Sequence, residues 1–282
     1  MQLFYFRKQI KGKNIDAYGS RDPIFIYLLF GGGGKKYLHN RESQIHTWVK
    51  NVTSPSEVIY MCGDPSVREA YLEGPILNLP ISEDYENGLE RQLLALKWTL
   101  ENRNFDWLVF SNTSNYFKHS ALTNYVISNP SLSVAAVCGN WEVPGSETLI
   151  FPSGAGTLMS FEIAKSLTEF PVNIYKEIPN DVAIGKLLSH QKINIEPMKR
   201  VDLTDWNFFE EHFHYRVKHW RFHKVTSFRM KMLYRIEKSN RSFKFFWIKV
   251  LNLSQIILGL IDGILRTLLR PWHATRLRVI KK

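Results

Sequence analysis

Ile24-Phe-Ile-Tyr-Leu-Leu-Phe30 is an unbroken apolar run that ends at Gly31-Gly-Gly-Gly34. The run is too short for a typical helix and shows no polar alternation, the pattern of a strand buried on both faces of a parallel sheet. A strand that empties into glycines marks the ligand end of an open α/β sheet, because backbone without a Cβ lets a ligand come close. The four glycines do not form a GxGxxG fingerprint, and the lysines after them do not make a P-loop.

The same punctuation recurs along the chain. Val58-Ile-Tyr-Met-Cys62 is a second buried strand, ended by Gly63-Asp64-Pro65, and Ile76-Leu-Asn-Leu79 is a short third. Asp106-Trp-Leu-Val-Phe110 runs into polar Ser111-Asn-Thr-Ser114, and Ser133-Val-Ala-Ala-Val-Cys138 is a further strand. Between them, residues 87–101 place Leu89, Leu93, Leu96 and Leu100 at helical spacing. Helices are also predicted over 121–127, 161–167 and 182–188, the last two flanking a Pro-rich stretch at 171–179. Strands alternating with helices predict an α/β fold with a mostly parallel central sheet sandwiched by helices. A chain of 282 residues that is 44% hydrophobic can bury the core of one large domain, with or without an appendage. Cys62 and Cys138 lie in apolar runs without zinc spacing, which suits core positions and a reducing compartment. Residues 1–8 are too short for a secretory apolar region, so the sequons at Asn51, Asn112 and Asn252 read as chance matches.

Charge divides the chain unevenly. Residues 215–282 hold 17 Lys/Arg against Glu237 and Asp262, a net +15, whereas the remainder holds 20 bases and 24 acids, a net −4. The break predicts a domain over residues 1–214 and a basic helical extension over 215–282 that meets an anionic partner. Residues 253–270 are amphipathic, with Asp262, Arg266 and Arg270 four apart on one face. That pattern suits a helix lying in a membrane interface better than one spanning the bilayer. No RNA- or DNA-binding module accompanies the basic residues, so an anionic membrane surface is expected, not nucleic acid. The expected location is cytoplasmic, peripherally on the inner face of the plasma membrane.

Two segments carry candidate chemistry. Pro152-Ser-Gly-Ala-Gly156 reads as a Gly-rich turn, and Asn180-Asp181-Val182 opens an apolar helix shortly after it. A carboxylate so placed is a candidate general base; its structural alternative is a helix N-cap.

Six segments, in order over residues 24–218, resemble the fringe and β1,3-galactosyl/N-acetylglucosaminyltransferase group. Arg41-Glu-Ser-Gln-Ile45-His46-Thr47-Trp48 is similar to its Arg-x-x-x-Ile-Arg-x-Thr-Trp region, shortened by one residue. Glu83-Asp-Tyr85-Glu-Asn87, with Arg91 and Lys97-Trp98, is similar to its Asp-x-Tyr-x-Asn stretch. Trp107 to Phe117 matches the strand that delivers a three-aspartate metal motif, here Asn112-Thr113-Ser114. Phe151 to Ser160 matches Tyr-Pro-x-Gly-x-Gly-Tyr-x-x-Ser, Asn180 to Gly185 matches Glu-Asp-Val-x-x-Gly, and Phe213 to Arg216 matches a late His-Tyr-Arg signature.

The resemblance implies a GT-A fold and transfer of a hexose or N-acetylhexosamine from a nucleotide sugar, UDP-linked in that group. The acceptor is a hydroxyl of a growing polysaccharide or lipid-linked glycan, as in O-antigen or capsule synthesis, and the mechanism is inverting with Asp181 as base. A retaining transferase and an inactive glycan-binding module are the alternatives. Arg41, His46, Tyr85, Asn87, Arg91, Asn112, Thr113, Ser114 and Asn180 become candidate donor contacts, Gly154 and Gly156 candidate walls, and Glu142 a candidate acceptor contact. The acidic motif that holds Mn2+ or Mg2+ in the group is missing, and neutral oxygens bind such ions poorly. His212, His214 and Arg216, with Lys218 and His219, are the expected substitutes for its charge.

Overall fold

The computed structural model describes residues 21–31, 35–142, 148–169, 178–203, 209–218 and 223–279. Expectations resting on residues 1–8, 32–34, 143–144, 171–177 and His219 lie outside these, as do those on the side chains of Asp262, Arg266 and Arg270.

β1 (Phe25–Phe30) is the apolar run, and it pairs in parallel with β2 (Glu57–Gly63) on one side and β5 (Trp107–Asn112) on the other. β2 pairs in parallel with β4 (Ile76–Leu79), which carries the antiparallel edge strand β3 (Tyr71–Glu73). Beyond β5, β8 (Leu149–Ser160) runs antiparallel, and β7 (Val134–Trp141) is antiparallel to β8 and hence parallel to β5. β9 (Glu196–Pro197) pairs in parallel with β7, giving the order β3-β4-β2-β1-β5-β8-β7-β9.

Alternation along β1 divides the core. Phe25, Tyr27 and Leu29 enter one apolar cluster, and Ile26 and Leu28 enter the other. The second cluster is built with α2 (Gly88–Asn102), α4 (Phe161–Leu167) and α5 (Asn180–His190). The first cluster is built with α3 (His119–Ser128), α6 (His223–Lys238) and Leu251 of α7 (Arg241–Val279), with Ile45 of α1 (Lys35–Ile45) and Val49 of the 3-10 turn Trp48–Asn51 packed against it. Both faces of β1 are therefore dry, which is why it shows no polar alternation. The α2 helix forms where its leucines predict, burying Leu89, Leu93 and Leu96.

Three further strands form a small second sheet in the order β10-β11-β6: β6 (Asn115–Phe117), β10 (Val201–Asp202) and β11 (His214–Arg216). β6 follows β5 after a two-residue turn and pairs antiparallel with β11, setting His214 opposite Phe117 and Arg216 opposite Asn115. The charge break at residues 214/215 thus falls inside β11. Past it, α6 buries Met230, Leu233 and Ile236, and its Glu237 accepts a 2.5 Å hydrogen bond from buried Tyr116. A hydrogen bond to a charged group of this kind contributes about 1.5–3 kcal/mol.

The Pro-Ser-Gly-Ala-Gly pattern predicts a turn, but the segment lies within β8. Ala136 pairs with Thr157 and Cys138 with Pro152, so two steps along β7 answer five along β8 and three extra residues bulge from the ladder. Glycine and proline mark the irregularity; that both flanks of it pair with β7 is a non-local fact which local residue types do not encode.

Candidate active site

β1 connects to β2 on one side of it, whereas β5 lies on the other, so the direction of winding changes between β1 and β5. A crevice opens at such a point beyond the carboxyl ends of the strands. Phe30 and Asn112 are register partners there. Gly31 follows at φ +87, and a Cβ on it would lie 2.9 Å from the Tyr37 ring and 3.3 Å from Thr113 Oγ1. Only glycine meets both constraints.

The Asn112–Asn115 turn is tied by one amide. Asn112 Oδ1 accepts from the Ser114 backbone N–H at 3.0 Å, from Ser114 Oγ at 2.6 Å and from Asn115 Nδ2 at 2.8 Å. Asn112 Nδ2 donates across the crevice to the Gly154 carbonyl at 3.3 Å. Thr113 and Ser114 are buried. Asn115 was not singled out from the sequence; its only local signal is an Asn at the end of a polar turn. It is fully buried, and its Oδ1 lies 3.2 Å from His214 Nε2. Because Asn115 Nδ2 is directed at Asn112, its oxygen faces the histidine, which places the proton of a neutral His214 ring on Nε2. The His214 ring stacks on Phe117 at 4.5 Å, and a Cβ on Gly156 would lie 2.4 Å from its Cε1.

Asp181 reaches this bulge from the first turn of α5. Pro179, not Asn180 or Asp181, is the residue preceding that helix. Asp181 Oδ1 accepts from the Val182 N–H at 3.0 Å and Oδ2 from the Gly154 N–H at 3.4 Å. A carboxylate in a first turn is favoured by the helix dipole, and two accepted bonds leave lone pairs available. Asp181, Asn180, Gly154 and Phe30 line one small pocket. Asn180 is held by donating from Nδ2 to Gln92 Oε1 at 3.1 Å, a partner in α2 that the sequence did not mark.

Arg91, one residue before Gln92, is 7% exposed. Its guanidinium lies 5.6 Å from the Phe30 ring centre, and Nη1 is 3.3 Å from Glu83 Oε2. Among the described residues, Nε and Nη1 have no hydrogen-bond acceptor, and the Glu83 carboxylate offsets the buried charge only as an ion pair. Glu83 also accepts from the Gly63 N–H. Burial raises the Cys62 thiol pKa, the Glu83 and Asp64 carboxylates raise it further, and Arg41 and Arg91 oppose them. Arg41 also lies 6.0 Å from the Tyr60 ring centre.

The remaining candidates are placed differently. Asn87 precedes α2 and donates to Ser82 Oγ at 2.6 Å, while Tyr85 is exposed in the same loop. His46 is exposed past the end of α1, two residues beyond buried Gln44, whose Nε2 donates to the Asn115 carbonyl at 2.9 Å. His212 accepts on Nδ1 from the His214 N–H at 3.2 Å; burial and then Lys199 lower its pKa. Arg216 lies 3.9 Å from Asp202, with burial and Arg200 lowering its pKa. Asn112 and Asp181 thus meet at Gly154, Ser114 is tied to Asn112, His214 packs against Gly156 of the same bulge, and Asn180 lines the pocket beside Phe30, on whose ring Arg91 lies.

The donor set at 112–114 does not fit Mg2+ or Mn2+. The one amide oxygen there accepts three hydrogen bonds, residues 112–114 contain no carboxylate, and no cluster of metal-ligating side chains occurs among the described residues.

No family model matches the chain, and no curated protein matches it. Among solved structures, one described as "Crystal structure of a glycosyltransferase involved in the glycosylation of the major capsid of PBCV-1" is similar with a TM-score of 0.47 and 11% identity, over 74% of this chain and 100% of that one. A197 from STIV is similar with a TM-score of 0.37 and 13% identity, over 62% of this chain and 82% of that one. Likeness at this level carries no argument about activity.

Proposed function

We propose that this chain is a GT-A-type glycosyltransferase, moving a hexose or N-acetylhexosamine from a UDP sugar to a hydroxyl of a polysaccharide or lipid-linked glycan with inversion. The observation that carries the reading is the Asp181 carboxylate, set at a helix start beside the Gly154 backbone and lining one small pocket with Phe30 from the end of β1. In the reaction, an Asp181 oxygen takes the proton of the acceptor hydroxyl as the acceptor oxygen bonds to the sugar C1. The bond from C1 to the phosphate oxygen breaks, and the nucleoside diphosphate leaves with the electron pair. Its charge needs a cationic partner in a site shielded from water. Arg91, beside Phe30 and with two guanidinium nitrogens that have no hydrogen-bond acceptor among the described residues, is the candidate to supply charge-assisted bonds. His214 holds the wall, since its Nε2 lies 3.2 Å from Asn115 Oδ1 and its ring is stacked on Phe117.

The test is release of UDP by the purified chain from a panel of UDP-hexoses and UDP-N-acetylhexosamines, with and without glycan acceptors. Release above the buffer rate with at least one donor supports the reading. No release together with no UDP binding contradicts it.

A further inference from the structure

Phe243–Ile261 in α7 is long and apolar enough to cross a bilayer, yet only 17% of it is buried. It is therefore not the core helix of a soluble domain. Phe246, Leu253, Ile257, Leu260 and Ile264 are all exposed. At 100° per residue they fall within about 60° of one another, forming one stripe along the helix. The opposite side is stitched to the domain. Leu251 and Gln255 are buried there, Gln255 Oε1 accepts from Arg229 at 2.6 and 3.1 Å, and Asn252 Oδ1 accepts from the Phe209 N–H at 2.9 Å. Near its start, Lys244 Nζ donates to Glu211 at 2.8 Å.

A second stripe adjoins the first. On α6, Lys224, Phe228, Lys231, Arg235 and Lys238 are exposed at spacings of three and four and so share a face. The Arg235 guanidinium lies 4.7 Å from the Trp247 ring centre of α7, which brings the basic face of one helix to the flank of the other. An apolar stripe bordered by cations is complementary to acyl chains bordered by anionic headgroups.

We propose that the outward face of α7, with the basic face of α6, is a docking surface for an anionic lipid bilayer, and that α7 lies in the plane of the interface. A spanning orientation would draw Arg229 and the Phe209 backbone into hydrocarbon, because these are bonded to the middle of the same helix, and with them the Lys218 carbonyl that accepts from Arg229.

The test uses the full chain and extruded vesicles of phosphatidylcholine, with or without phosphatidylserine, in sedimentation over a salt series. The expected result is binding to the phosphatidylserine vesicles that weakens with salt and is released by alkaline carbonate. A triple substitution Leu253→Glu, Ile257→Glu and Leu260→Glu lowers binding about tenfold or more. A second variant, Lys224→Glu with Lys231→Glu, lowers binding and flattens its salt dependence; unchanged thermal unfolding shows that each variant is folded. Absence of vesicle binding by the full chain overturns the proposal. So does resistance to carbonate, which means spanning, or a dimer in solution that the apolar variant dissociates, which means a second copy covers the face.

Discussion

Asp181 Oδ2 accepts a 3.4 Å hydrogen bond from the backbone nitrogen of Gly154, joining the first turn of α5 to the β8 bulge across 27 positions of the chain. The carbonyl of the same glycine accepts from Asn112 Nδ2. The peptide groups on either side of Gly154 are thus clamped from both sides of the crevice, and the Asp181 carboxylate is fixed relative to the strand ends.

That clamp depends on the close approach of backbone to His214. Gly156→Ala would set a methyl 2.4 Å from His214 Cε1 in a ring already stacked on Phe117. The variant is expected to lose about 1–3 kcal/mol, the usual cost of overpacking, and to lose turnover as the bulge shifts. Denaturant unfolding and UDP release measure the two effects; an unchanged midpoint contradicts the packing.

Arg91→Met keeps much of the side-chain volume and removes the guanidinium. UDP affinity is expected to fall about 10- to 100-fold, the worth of one or two charge-assisted bonds, as read by calorimetry. Equal affinity in the two proteins places the diphosphate elsewhere.

Acid stability is expected to report on Asp106. Burial alone would raise its pKa, but hydrogen bonds from Arg21 and the Ile24 N–H, with the Arg21 charge, outweigh burial and hold it below the usual carboxylate range. With the folded pKa depressed, the contribution is full above the unfolded value of about 3.9 and is lost as pH falls through the folded value. Asp106→Asn should destabilise the fold at pH 7 and flatten its loss of stability below about pH 4. Parallel stability–pH curves for the two proteins contradict this.

Chelation gives a separate check on charge compensation. EDTA is expected to leave wild-type turnover unchanged, because Asn112 Oδ1 is fully occupied by Ser114 and Asn115. Loss of turnover restored by Mn2+ shows that a cation binds despite that arrangement.

Much of the sheet was legible from local pattern. β1, β2, β4 and β5 follow from apolar runs ended by turn residues, and α2 from the spacing of Leu89, Leu93 and Leu96. Asp181 was legible as a helix-start carboxylate, although the capping position is Pro179. The β8 bulge and the second sheet were not legible, because each depends on pairing between distant segments, such as Phe117 with His214. Asn115 and Gln92 escaped for the same reason: their partners, His214 and Asn180, are 99 and 88 residues away. The burial of Arg91 is likewise a tertiary fact, since its place in the first turns of α2 equally suits a solvated charge.

The most direct measurement compares wild type and Asp181→Asn in single-turnover sugar transfer, with UDP affinity measured on the same samples. Asparagine keeps the size of the side chain and removes the basic oxygen. The account predicts UDP affinity close to wild type with transfer slowed about 10²- to 10⁴-fold, the usual contribution of a positioned base. Transfer at the wild-type rate by the folded variant contradicts it.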